Sequence, residues 1–463
     1  AAPHAPAIPC LPRRSSARRR EAMPFSDLQR VAIAGSGFLA DAYDLYIIGQ
    51  VQSVLFQEYP ISKSDQGHLK SLISTAALVG AIGGQLIFGA LADRLGRKRI
   101  FIITGVTIVL GALLSAIAQP GLFYKATPHD TQIYYQIAIG RLILGFGIGG
   151  EYPLSATIAS ESCTASRRAT LMACVFSMQG VGYLLSALIM IALVGMKASN
   201  DFTWRFALGF GGFIPLVSLY FRLMMDESSS YAALAQARAT GDHSVTQSAT
   251  ARRYKWHILG TALNWAIFDI VFYANGLFNS DVTSALRTSD SLMGKMLNTL
   301  IIVVLQLPGY FVAVLTINKL GRKNIQLLGF GMMFALFLLI GLLYDDLVGM
   351  PALFIFLYGL TFFFSDFGPN MTTYVIPGEI YPPQIKATSH GLSAAAGKAG
   401  ATLGSSCFEL LKPKTPGGLK HAMLACSGLA LLGLLVTALL TPRYAAEDLE
   451  KKNPGETVGF VKL

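Results

Sequence analysis

Seven ionisable side chains sit inside long apolar stretches of this chain: Asp41, Asp44, Arg141, Glu151, Asp269, Asp366 and Lys398. An ionised group in hydrocarbon costs about 2.5–3.5 kcal/mol on insertion scales, so each is a candidate for function, the alternative being an ion pair that fixes helix packing. Trp265, Asp269 and Tyr273 recur at i, i+4 and i+8, which puts an indole N–H, a carboxylate and a phenol on one helix face. Aromatics alone at that spacing would be packing; with a carboxylate between them the face suits a ligand. Glu151 and Tyr152 follow a glycine-rich run and precede Pro153, where the backbone can kink and approach a ligand closely. Asp41 and Asp44 share a face at i, i+3, and two neighbouring buried carboxylates suit a group that loads and releases protons. Pairing with Arg141 or another cation is the alternative.

Those residues need helices long enough to cross a bilayer, about 20 mostly apolar residues each. Of 463 residues, 53% are hydrophobic and 14% charged, against roughly 25% charged in soluble domains, which excludes a disordered chain and disfavours a soluble one. Twelve apolar segments stand near 31–54, 71–92, 98–118, 132–157, 170–194, 204–225, 256–278, 296–317, 324–344, 350–375, 390–411 and 420–441. The predicted fold is therefore an all-α membrane protein of twelve transmembrane helices in two six-helix halves. Residues 31–225 form the first half, 226–255 a polar central loop, 256–441 the second half and 442–463 a tail. With both termini placed in the cytoplasm, most Lys and Arg fall on the inner side, so the net charge of +11 marks orientation and not nucleic acid.

A repeat supports the two halves. Segment two ends in Asp93-Arg94-Leu95-Gly96-Arg97-Lys98, and segment eight in Asn318-Lys319-Leu320-Gly321-Arg322-Lys323, at the matching break of its half. Two such halves imply a transporter with its site between them near the bilayer midplane. Residues 1–30 form a basic N-terminal segment; residues 1–22 are expected to lie upstream of a true start at Met23, a transit-like targeting segment being the alternative. The plasma membrane is the expected residence, or an organelle membrane if those residues do target the chain.

Several patterns mislead. Gly145 to Gly150 satisfies G-x-G-x-x-G but lies inside an apolar span with neither strand nor following acid. Gly391 to Ala399 misses a phosphate loop by one residue and lacks Ser or Thr after Lys398. Asn370-Met371-Thr372 matches a glycosylation acceptor within a span, where glycosylation cannot occur. Five cysteines form no Cys-x-x-Cys pair and no metal-ligand spacing, and no catalytic motif appears, so no enzyme activity, metal or cofactor is expected.

Gly147-Ile148-Gly149-Gly150-Glu151-Tyr152-Pro153-Leu154-Ser155-Ala156-Thr157 with Ser160-Glu161 closely resembles the fourth-helix signature of phosphate:proton symporters in the major facilitator superfamily. Asp41-Ala42-Tyr43-Asp44-Leu45, Met178-Gln179-Gly180, Phe367-Gly368-Pro369-Asn370 and Ala394-Ala395-Ala396-Gly397-Lys398 resemble that family too. The resemblance implies a phosphate site built from Tyr152, Gln179, Trp265, Asp269, Tyr273 and Asn370, with Glu151 and Lys398 beside it. It places Asp41 and Asp44 on a proton route, to which Glu151, Asp269 and Asp366 can contribute. Asp93, Arg94, Gly96, Arg97, Arg141, Glu161, Gly321 and Arg322 are then gating or structural residues. The chemistry fits: dihydrogen phosphate needs donors for its oxygens and an acceptor for its hydroxyls; Tyr152, Gln179, Trp265, Tyr273, Asn370 and Lys398 can donate, and Asp269 can accept. A carboxylate there should also reject sulfate, which offers no proton near neutral pH.

Four departures stand out. Glu151 and Asp366 replace the family's usual Asp and Asn; Asp226-Glu227-Ser228-Ser229-Ser230-Tyr231 loses a Pro and an Arg; Asn318 replaces an Asp of the second loop motif. Asp366 opens the choice of coupling ion, proton or sodium. The expected function is phosphate import by proton symport across the lipid bilayer, the alternatives being a carrier of a sugar or organic anion, or a phosphate sensor. A long cytoplasmic domain would favour the sensor, and the inner loops are short.

Overall fold

Serines at 26, 62, 199 and 291 each turn the chain into a helix, accepting the N–H of Gln29, Asp65, Phe202 and Gly294 respectively. The computed structural model describes residues 26–121, 131–239, 247–277, 282, 291–411 and 418–444. Among them lie twelve long helices: α1 (Asp27–Glu58), α2 (Lys63–Leu95), α3 (Arg97–Ala116), α4 (Gln132–Glu161), α5 (Ala165–Gly195), α6 (Asn200–Met224), α7 (Lys255–Leu277), α8 (Leu292–Leu320), α9 (Arg322–Leu342), α10 (Pro351–Ile380), α11 (Lys386–Leu411) and α12 (Gly418–Leu440). Eleven are long and apolar enough to cross a membrane; α11 is long enough, but Lys386, His390 and Lys398 lower its hydropathy. The twelve expected segments coincide with these helices; α1, α2, α4, α5, α8 and α10 run several residues beyond the apolar stretch at one or both ends, whereas α3 and α9 stop two residues short of it. Expectations for residues 1–22 and most of the tail lie outside the described residues.

Helices α1 to α6 pack among themselves, as do α7 to α12, and the halves meet along α2 against α11 and α5 against α8. Close approach is written in glycine: a Cβ on Gly145 or Gly149 of α4 would strike the backbone of Ala77 or Ala81 in α2. The repeat is structural as well. Gly96 (φ 108°) and Gly321 (φ 82°) end α2 and α8 in a left-handed conformation and start α3 and α9. Two short helices, Ser229–Ala239 and Gln247–Arg253, occupy the central connection.

Helix α10 is broken. Pro369 has no N–H, and Gly368 takes φ −98° and ψ −108°, so residues Asp366–Asn370 form a π-turn between two helical segments. A wide turn of that kind is common at functional sites. It brings the side chains of Asp366 and Asn370, four residues apart, within 2.7 Å of each other.

Candidate functional site

A small cavity lies between the halves, lined by Tyr152, Phe176, Gln179, Trp265, Asp269, Phe272, Tyr273, Asn370 and Lys398. Five helices contribute: α4, α5, α7, α10 and α11. All seven residues expected at the substrate site are on this wall, and Phe176 and Phe272 complete it. Trp265, Asp269 and Tyr273 do line one face of α7. The Trp265 indole lies against Gly397, where a Cβ would come within 2.8 Å of Nε1, so the glycine before Lys398 seats the ring.

Lys398 is the centre of charge. Its Nζ reaches Asp269 Oδ2 at 3.1 Å and Tyr273 Oη at 3.2 Å. It also stands 5.2 Å from the Tyr152 ring and 5.0 Å from the Tyr273 ring. The ammonium is held by a carboxylate, a phenol and two π-faces, and an entering anion would meet it with little rearrangement.

On the opposite wall Asn370 donates both N–H bonds, to Asp366 Oδ1 at 2.7 Å and to the Tyr310 hydroxyl at 2.9 Å. Tyr310 passes its hydrogen to Gln179 Oε1 at 3.3 Å. Asp366 is fully buried behind this wall, and its other oxygen takes no hydrogen bond among the described residues.

Glu151 faces away from the cavity, toward α3 and α6. Its carboxylate is gripped by Arg222 at 2.6 and 2.9 Å and by the Thr104 hydroxyl at 2.6 Å. Arg222 also donates to the Phe101 carbonyl at 2.8 Å and covers the Phe101 ring at 3.8 Å. Sequence reasoning missed Arg222, because an arginine three residues from the end of a predicted span looks like a solvated boundary residue. Gly37 and Gly105 were the available signal: a Cβ on either would come within about 3.1 Å of the guanidinium, from two different helices.

Asp41 is 1% exposed, and neither carboxylate oxygen has a hydrogen-bond partner among the described residues. Asp44 likewise takes no hydrogen bond at either carboxylate oxygen among the described residues, but it pairs with Arg141, whose Nη1 stands 4.0 Å from Oδ1 while Nη2 donates to the Asp44 carbonyl at 2.7 Å. The Asp44 carboxylate occupies the place a Cβ on Gly211 would need. Two unsatisfied buried acids on α1 are costly unless protonation changes there are part of function.

At the end of the bundle where α2 and α8 finish, the halves are locked together. Asp93 accepts from the N–H of Ala387 at 3.3 Å and of Thr388 at 2.8 Å, capping α11 across the seam. Arg97 links Asp93 at 3.2 Å, Glu161 at 3.3 Å and the Pro383 carbonyl at 2.8 Å. Glu227 accepts from the N–H of Arg97 at 3.0 Å, and Ser228 donates to Glu161. In the second half Arg322 grips Glu379 at 2.9 Å through two nitrogens, and the Tyr444 phenol joins at 3.0 Å. Burial and the Glu379 charge hold that phenol above its usual range. Asn318 donates to Thr170 at 2.8 Å across the seam, whereas the usual Asp, when ionised, could only accept from that hydroxyl. The Arg94 side chain is exposed; only its carbonyl joins the lock, accepting from Tyr231. Replacing Asp93 with Ala removes the cap on α11, so thiol labelling of Cys163, buried at the same end, is expected to speed up several-fold as read by mass spectrometry. Unchanged labelling would remove Asp93 from the gate.

Two six-helix halves around one polar cavity, closed at one end, define a membrane carrier. Residues 30–258 and 233–454 match the sugar (and other) transporter family. The chain is similar to the probable inorganic phosphate transporter 1-12 of rice (Oryza sativa subsp. japonica), 33% identical over 91% of this chain and 90% of the relative. It is also 34% identical to the probable inorganic phosphate transporter 1-6 of Arabidopsis thaliana, over 92% and 93%. Among solved structures, the proton:xylose symporter bound to 6-bromo-6-deoxy-D-glucose superposes with TM-score 0.76 at 20% identity, covering 92% of this chain and 98% of that one. The chain belongs to the sugar (and other) transporter family of the major facilitator superfamily, and it is a transporter, not an enzyme.

Proposed function

We propose that this protein imports inorganic phosphate together with protons, its two halves rocking to expose the cavity to either side of the membrane in turn. The observation that carries the reading is the cavity wall itself, where a buried lysine and several neutral donors face the same space as one carboxylate. Phosphate oxygens would take hydrogen bonds from Lys398, Tyr152, Tyr273, Trp265 and Gln179, and Asp269 would accept a phosphate hydroxyl. A neutral sugar could hydrogen-bond the Lys398–Asp269 pair, but only an anion also takes up the charge of the ammonium. The phosphate transporters among the relatives support the same substrate.

Coupling follows from energetics. Moving one monovalent anion against an inside-negative potential costs about 2.3 kcal/mol per 100 mV, so one co-transported cation cancels the electrical term and two make uptake favourable. Asp41 and Asp366 are buried acids with no ion pair among the described residues, Asp44 has only Arg141 at 4.0 Å, and Asp269 is the acid at the substrate. With the basic ends of the helices in the cytoplasm, both termini lie inside and the plasma membrane is the residence consistent with import.

Labelled phosphate uptake into proteoliposomes tests this. Acidifying the outer medium is expected to raise uptake, because it supplies both dihydrogen phosphate and the driving protons, and a protonophore is expected to collapse it. Uptake that needs sodium and ignores the pH gradient would replace the proton as coupling ion. Uptake of glucose without phosphate would overturn the substrate.

A further inference from the structure

The hydrogen-bond polarity of the cavity wall is set by a residue that does not line it. Asn370 could present either its oxygen or its amide nitrogen to a substrate, two groups of nearly the same shape and opposite chemistry. Here both N–H bonds are tied down, one by Asp366 Oδ1 at 2.7 Å and one by Tyr310 at 2.9 Å. Among the described residues nothing donates to Asn370 Oδ1, so the oxygen is the group left for the cavity. The opposite holds for Gln179. Its Oε1 is taken by Tyr310 at 3.3 Å, which leaves its Nε2 to donate.

We propose that Asp366 is a specificity-determining positioning residue: its carboxylate fixes the Asn370 amide so that the cavity presents an acceptor where the substrate carries a hydroxyl. Oδ1 of Asp366 accepts from Asn370 whether the acid is ionised or carries a proton on its other, unpartnered oxygen, whereas an asparagine at 366, the residue usual in the resembling family, can present its own N–H groups to Asn370 and so allows Asn370 to turn over. The packing supports a fixed role. Asp366 is fully buried on the π-turn of α10, held against Gly329 of α9, where a Cβ would strike Gly368 and Pro369. Tyr46 of α1, Tyr183 of α5 and Tyr310 of α8 are the titratable groups near it, and no lysine or arginine pairs with it among the described residues. With Asp269 on the facing wall, the cavity then offers acceptors at two sides. Dihydrogen phosphate has two hydroxyls to give; sulfate near neutral pH has none and would leave both acceptors facing its oxygens.

The inference rests on the phosphate reading and separates from it by experiment. Binding of labelled phosphate to purified protein would be competed with unlabelled phosphate and with sulfate, in the wild type, Asp366→Asn and Asp366→Leu. The expected result is phosphate binding in all three. The ratio of sulfate to phosphate inhibition constants should fall about tenfold, some 1.4 kcal/mol, in both Asp366 variants, because each removes the acceptor that holds the Asn370 amide. Asp366→Leu removes the acceptor without adding a donor, gives the same shift, and serves if the asparagine variant does not fold. A purely structural role would reduce the amount of competent protein and leave the ratio untouched. An unchanged ratio in folded Asp366 variants overturns the inference while the phosphate reading stands, and wild-type protein that binds no phosphate overturns both.

Discussion

Asp269→Asn is expected to lower phosphate uptake by up to about 100-fold while leaving the protein folded and able to bind the anion. Asn is nearly isosteric and can still accept a hydrogen bond from Lys398, so the helix contact between α7 and α11 survives. The charge does not. In the wild type Lys398 is held by Asp269 at 3.1 Å, and an arriving anion competes with that carboxylate for the ammonium. Release on the other side is then assisted by the return of Asp269 to its partner. With a neutral amide at 269 the substrate becomes the sole anion beside a buried lysine, and the return step is lost. A hydrogen bond to a charged group is worth about 1.5–3 kcal/mol, of the size needed for a 100-fold loss in turnover. Thermal shift with phosphate should show binding at least as strong as in the wild type, and counterflow should show little exchange. Undiminished uptake in the variant would sink the assignment of Asp269 and with it the centre of the proposed site.

What could be seen in the sequence divides along physical lines. Trp265, Asp269 and Tyr273 are legible because one helix carries them at a spacing that puts them on one face, and α7 is regular through that stretch. Gln179 and Asn370 enter only through family resemblance, since a lone amide in an apolar run has no pattern of its own. Asp366 is visible as a charge in the wrong place, but its bond to Asn370 depends on the π-turn. Gly368-Pro369 announces a break in α10 without announcing its shape. Tyr310 is the plainest omission at the site: a phenol on α8 is unremarkable until its hydroxyl is found joining Asn370 to Gln179. The gating residues show the same limit. The repeated loop motif marks Asp93, Arg97 and Arg322 and the family resemblance adds Glu161, yet Glu379 and the N-terminus of α11 are brought to them by packing between distant parts of the chain.

Arg222→Met is expected to destabilise the protein by about 3–5 kcal/mol, because it strands the Glu151 carboxylate in a buried site with only Thr104 to hold it. Both partners are essentially unexposed, and the pair is bidentate, so water cannot replace the lost guanidinium. The double variant Glu151→Gln, Arg222→Met removes the stranded charge and should recover most of that loss, since replacing a buried pair by neutral groups of similar volume is often close to neutral. Detergent-solubilised thermal unfolding of the wild type, the single variant and the double variant measures this directly. The same double variant decides what Glu151 does in transport. Its carboxylate is satisfied by three hydrogen bonds from Arg222 and Thr104, whereas Asp41 beside it has none, which makes Asp41 the acid free to exchange a proton and Glu151 its fixed neighbour. On that view the stabilised double variant keeps uptake that responds to the pH gradient. Recovered stability with uptake that no longer responds would instead make Glu151 a proton carrier, and would require the Arg222 pair to open once in every transport cycle.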